Sequence, residues 1–177
     1  MTKTLDYLAE AYRSILENDF EQAIQWFDQA LELSPQEADI HYRCSVTCSR
    51  SSRLEKAIHH ARTALDLEPG TEEYHLHYER LLAMDLTRKA LKVLEHGSRT
   101  ESSVRAAVLD LEQAVKMDPL SSKAYIGLAV AYSELKEYTF AINSIREAIH
   151  LLEGDSSIHE LRLWEQRIET YIDQSSS

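Results

Sequence analysis

Apolar and small residues recur along this chain at helical spacing, and the pattern then repeats itself. The stretch Asp19-Phe-Glu-Gln-Ala23-Ile-Gln-Trp-Phe-Asp-Gln-Ala30-Leu-Glu-Leu-Ser-Pro35 aligns without a gap on the stretch from Arg53 to Pro69. Ala23 and Ala57, Ala30 and Ala64, and Pro35 and Pro69 are each 34 residues apart. The phase returns at Ala107, Ala114 and Pro119, and again at Ala141 and Ala148. Pro69 and Pro119 are 50 apart, so one copy carries a 16-residue insertion. Alanines seven apart share one helix stripe and let a partner helix come close. Phe27, Leu31, Leu65, Leu111 and Ile145 fill the layers between them. Asp19-x-x-Gln22, Ser34-x-x-Glu37 and Ser52-x-x-Glu55 read as helix N-caps. Pro35, Pro69 and Pro119 suit first-turn positions, where a missing N–H costs little. Four helix pairs are expected within 2–153, in segments 2–35, 36–69, 70–119 and 120–153.

A 34-residue helix-turn-helix unit resembles the tetratricopeptide repeat (TPR) family. The fullest copy is Tyr125-Ile-Gly-Leu128-Ala129-Val-Ala-Tyr132, followed by Tyr138, Ala141, Ile145 and Ala148. These residues fall on the family's aromatic, Leu, small, aromatic, aromatic, Ala, large and Ala positions. Glu153 replaces the usual Pro, and the second copy carries His41, Cys44, Ser45 and Cys48 at signature positions. The resemblance implies an all-α fold over 1–177 as a single domain: a right-handed superhelix of antiparallel helix pairs, about nine helices in all. Ile158, Leu161, Trp164, Ile168 and Tyr171 then form the inner stripe of a capping helix at 155–174, with Arg162, Glu165, Gln166 and Glu169 opposite and Gly154 as terminator.

Two places leave alternatives open. Tyr74, Tyr78, Leu81, Leu82, Leu86, Ala90, Val93 and Leu94 keep a helical period, so 72–95 reads as one long helix before a loop at 97–101, or as two helices broken near Asp85. Its second half packs on its own repeat or offers Leu86, Val93 and Leu94 to another copy. Near the start, repeat phase turns Tyr7, Glu10, Ala11 and Ser14 inward. Amphipathicity instead favours Leu5, Leu8, Tyr12 and Leu16.

Composition narrows the functional classes. Four Gly and three Pro in 177 residues argue against turn-rich β architecture. A net charge of -11 disfavours a phosphate-binding surface, so nucleic acid is not an expected partner. No uncharged run approaches the ~20 residues of a membrane span. Asp6 and Glu10 stand where a signal peptide would be apolar, and Cys44 and Cys48 are poorly placed for a structural disulfide. A cytoplasmic location is the expectation.

No phosphate-cradling or nucleophile motif occurs, and no carboxylate pair has a companion base, so neither an enzyme nor a cofactor is expected. His41-x-x-Cys44-x-x-x-Cys48 could present a soft metal-binding face, with His59, His60, His75 or His77 nearby. All three occupy positions the repeat needs for its core, which favours packing over a metal. The family resemblance implies a scaffold or co-chaperone-like adaptor, holding a partner peptide or helix in a groove lined by first helices. Repeat phase puts Leu8, Tyr12, Tyr42, Arg43, Val46, Arg50, Ile126 and Val130 there. Arg43 and Arg50 would orient an acidic segment or a C-terminal carboxylate. Leu8 and Tyr12 replace the Lys and Asn of the carboxylate clamp found in some relatives. The alternatives are self-assembly through the helix around 86–95 and a metal protein using His41, Cys44 and Cys48.

Overall fold

The structure, a computed structural model, describes residues 2–96, 100–154 and 158–175. The described residues form nine helices and no strand. They are α1 (Thr2–Leu16), α2 (Phe20–Leu33), α3 (Ala38–Arg50), α4 (Leu54–Leu67), α5 (Glu72–His96), α6 (Glu101–Met117), α7 (Ser122–Glu134), α8 (Tyr138–Leu151) and α9 (Ile158–Ser175). The eight phased alanines are all at most 2% exposed, which is why paired helices approach closely along that stripe.

Two kinds of turn recur. Between the helices of a pair, Asn18, Ser52 and Lys136 each adopt φ 60°. Each turn closes alike: Asp19 N–H donates to Ser14 C=O at 2.8 Å, Arg53 N–H to Cys48 C=O at 2.9 Å, and Glu137 N–H to Tyr132 C=O at 2.9 Å. This six-to-one bond with a left-handed residue is the Schellman ending, and it consumes carbonyls the helix cannot satisfy. Between pairs, Pro35, Pro69 and Pro119 occupy four-residue turns closed by Glu37 N–H to Ser34 C=O, Thr71 N–H to Glu68 C=O and Ser121 N–H to Asp118 C=O. The prolines therefore precede the next helix instead of opening it, at the second turn position that their fixed φ favours.

The caps divide in the same way. Asp19 Oδ1 accepts from Gln22 N–H at 2.9 Å, as its spacing suggests. Ser34 and Ser52 do not cap: Glu37 and Arg53 hold the N-cap positions of α3 and α4, without side-chain capping bonds. Turn closure has already claimed both serines. Thr100 and Ser121 cap α6 and α7.

α5 is one helix of 25 residues. Leu86, which stands 34 after Ser52, simply continues it, and Thr87 Oγ1 donates back to Ala83 C=O at 2.8 Å. The loop expected at 97–101 lies partly outside the described residues.

The chain divides into two compact units, residues 1–82 and 83–177, and the division falls within α5. In the first, Ala11, Ile24, Phe27, Ala30, Ile40, Cys44, Ala57 and Leu81 share one core. Ala11 and Ser14 are buried, whereas Leu5 and Leu16 are 64% and 83% exposed. Repeat phase thus overrides the amphipathic alternative for α1, because only a small residue fits at Ala11 beside the alanine stripe.

In the second unit, Ala90, Leu94, Val104, Leu111, Leu128, Ala129, Ile145, Leu161 and Ile168 form the core, with Leu86 and Leu91 packed against it. The inserted turns of α5 therefore pack on their own unit, with Leu94 buried and Leu86 and Val93 half-buried. α9 buries Leu161 and Ile168 but not Tyr171, which is 62% exposed and stacks on Tyr138. Ile172 takes the inward place. Glu165 and Glu169 turn toward α8, where Arg146 donates to them at 2.6 and 2.8 Å. Gly154 has φ +97° just before the cap, while 155–157 lie outside the described residues.

Candidate protein-binding surface

In residues 1–82 the apolar stripe of α1 is only partly taken into the core, where Leu8 packs against it. Leu5, Tyr12 and Leu16 remain exposed on the same face as half-buried Leu8. Next to that stripe lies a cavity of about 550 Å³ between α1, the end of α2 and the start of α3. Leu5, Leu8, Leu33 and Ile40 supply its apolar lining, and Lys3, Glu37 and Asp39 its charged groups.

Asp39 joins the cavity to the sequence-derived residues. Its carboxylate accepts from Arg43 Nε at 2.6 Å, and the Arg43 guanidinium lies 5.6 Å over the Tyr12 ring. Tyr12 stands edge-on to Phe27 at 6.0 Å, so the core fixes its ring. Burial pushes the Tyr12 phenol up, and the bond to Asp39 raises Arg43 further. Leu8, Tyr12, Asp39 and Arg43 therefore form one surface of apolar, aromatic and paired charged groups.

The other expected residues are dispersed. Tyr42 Oη donates to Glu73 at 2.9 Å, and its ring packs on Tyr74 and His77. Burial and the Glu73 bond push its phenol up to about 12. Val46 is half-buried. Arg50 lies 4.5 Å over the Phe20 ring at the start of α2, so it and Arg43 do not act as one free cationic strip. Ile126 and Val130 belong to the second unit, where both pack against its core. Val130 also lines an open cavity of about 400 Å³ with Tyr138 and Trp164.

Sequence reasoning missed Leu33, Ile40 and Asp39, which lie outside the groove positions that repeat phase supplies. Leu5 was visible in the α1 stripe but carried no groove assignment.

The histidine and cysteine constellation also rearranges. Cys44 and Cys48 are buried free thiols with Sγ atoms 4.0 Å apart. His41 faces elsewhere: Nδ1 is 2.9 Å from His60 Nδ1, and Nε2 is 3.2 Å from the Pro35 carbonyl. Among the described residues no helix is long and apolar enough to cross a membrane.

Known proteins place this architecture. A fragment of MamA from Desulfovibrio magneticus RS-1 is similar in structure, with a TM-score of 0.54 at 14% identity, covering 98% of this chain and 92% of its own. A tetratricopeptide repeat protein from Parabacteroides merdae ATCC 43184 gives 0.53 at 14% identity, covering 96% of this chain and 75% of its own. The fold is the all-α TPR type. No curated protein matches the sequence. The family model described as RMD1-3, Regulator of microtubule dynamics protein 1-3, matches residues 7–163. With most of its length inside that match, the chain belongs to the regulator of microtubule dynamics protein 1-3 family.

Proposed function

We propose that the chain is a protein-interaction scaffold without catalytic activity, taking an extended or helical partner segment on the α1–α3 face of residues 1–82. The observation that carries this reading is the open cavity lined by Leu5, Leu8, Leu33 and Ile40, beside Tyr12 and the Asp39–Arg43 pair. An apolar side chain of the partner would fill the cavity, and the charged pair would fix its direction. An acidic segment or C-terminal carboxylate would compete with Asp39 for the Arg43 guanidinium. Tyr42, Val46 and Arg50 extend the face along α3. Ile126 and Val130 offer a separate contact on α7. Two reduced, buried cysteines agree with a cytoplasmic setting. The family's description points to a partner concerned with microtubule dynamics.

The test is quantitative affinity purification with wild type, Leu5→Glu and Arg43→Ala. Leu5 is well exposed, so its variant should keep the wild-type unfolding midpoint while losing the partner. Arg43→Ala should weaken capture and flatten its salt dependence. Equal recovery of the same proteins by all three chains would refute the reading.

A further inference from the structure

Three helices bring unlike donors to one point in the first unit. An Asp28 carboxylate oxygen on α2, Cys44 Sγ on α3 and a ring nitrogen of His60 on α4 all lie within 4.8 Å of one another. Cys44 is fully buried and His60 is 7% exposed. A carbonyl can only accept, so His41 must carry its proton on Nε2, facing Pro35. Neutral His41 then offers Nδ1 as an acceptor, and His60 must donate from its own Nδ1. The relay occupies His60 Nδ1 and leaves the Nε2 lone pair outside the contact with His41. A metal-bound histidine is held in this way, its second nitrogen donating to an outer partner.

We propose that Asp28, Cys44 and His60 bind a zinc ion, with Cys48 as fourth donor, and that the ion ties α2, α3 and α4 together. Zinc bond lengths of about 2.0–2.3 Å place tetrahedral ligands roughly 3.3–3.8 Å apart. The Cys44–Cys48 separation of 4.0 Å is already close to that edge; Asp28, Cys44 and His60 need to close by about 1 Å, and Cys48, which stands outside their 4.8 Å cluster, has further to come. Lys56 Nζ donates to Asp28 Oδ2 at 2.6 Å, leaving the other carboxylate oxygen for the ion. Each thiol releases its proton to solvent on binding. The two thiolates, the carboxylate, the ion and the Lys56 ammonium then sum to neutrality, which a buried site requires. His41 is a positioning residue, because it acts only through His60.

The experiment titrates the metal-stripped full chain with cobalt(II) as a spectroscopic substitute for zinc. Thiolate-to-cobalt charge-transfer and tetrahedral visible bands should appear at one ion per chain and vanish when zinc is added. Zinc should also raise the unfolding midpoint. Cys44→Ser should weaken binding at least tenfold and cut the charge-transfer band to that of a single thiolate. Asp28→Asn, at a half-buried position, should stay folded by circular dichroism and bind at least tenfold more weakly. A folded wild type that gives no such bands overturns the proposal. So does binding that Asp28→Asn leaves undiminished, even if Cys44→Ser fails to fold.

Discussion

Acidification should destabilise residues 1–82 from about pH 6.5 downward, before carboxylates titrate. His60 is held at about 4 against 6.5 when exposed, and burial is the largest cause, followed by His41. Burial also lowers His41 and His77, and all three belong to the first unit. A histidine depressed in the folded state binds its proton more readily in the unfolded chain. Stability is therefore complete above pH 6.5 and is lost as pH falls toward 4. For His60 alone the linkage relation gives a loss of about 2 kcal/mol by pH 5 and about 3 kcal/mol by pH 4. His41 and His77 shift in the same direction. The assay is urea unfolding in metal-free buffer between pH 7.5 and 4.5, with hydrogen exchange reporting on each unit. Protection factors, which divide out the intrinsic slowing of exchange in acid, should fall in α3 and α4 as pH falls, with α7 and α8 changing less. His60→Asn retains an N–H donor toward His41 but cannot titrate, so the slope should flatten. A wild-type urea midpoint equal at pH 7.5 and 5 would refute the buried neutral pair.

Three further outcomes are expected. Phe27 is fully buried and Phe140 is 56% exposed, so Phe27→Ala should cost about 3–5 kcal/mol in urea unfolding while Phe140→Ala costs under ~1 kcal/mol. Lys136→Gly should stabilise by up to ~1 kcal/mol, because lysine resists φ 60°, and thermal unfolding should show a smaller gain for Asn18→Gly, since asparagine tolerates that region. A Cβ on Gly127 would meet only side-chain ends, Leu111 Cδ2 at 2.9 Å and Leu91 Cδ2 at 3.1 Å. Gly127→Ala should thus stay within ~1 kcal/mol of wild type, whereas the extra methyls of valine cost about 1–3 kcal/mol by the same measurement.

The alanine stripe was legible because a small residue every 34 positions has one use: close helix approach. The same regularity placed Ala11 inward against the stronger amphipathic signal of Leu5, Leu8, Tyr12 and Leu16. Ser34 and Ser52 misled because capping and turn closure favour the same residue types. Only backbone geometry reveals that Ser52 occupies the left-handed position. Glu165 looked solvent-facing until its partner Arg146, 19 residues earlier, was placed beside it. The cavity and the Asp28–Cys44–His60 cluster were hidden for a related reason. Each draws on three helices, and no one-dimensional spacing records which side chains converge. His59-His60 did mark the neighbourhood, but not which ring turns inward.

The recurring left-handed turn bears on how such a chain can grow. Asn18 and Ser52 hold the same backbone state at equivalent points, so the intervening stretch begins and ends alike. A tandem copy of that 34-residue stretch would meet its neighbours without strain at either junction and would keep every alanine in register. Inserting any other length there would rotate the next helix away from its partner unless extra turns absorbed the difference.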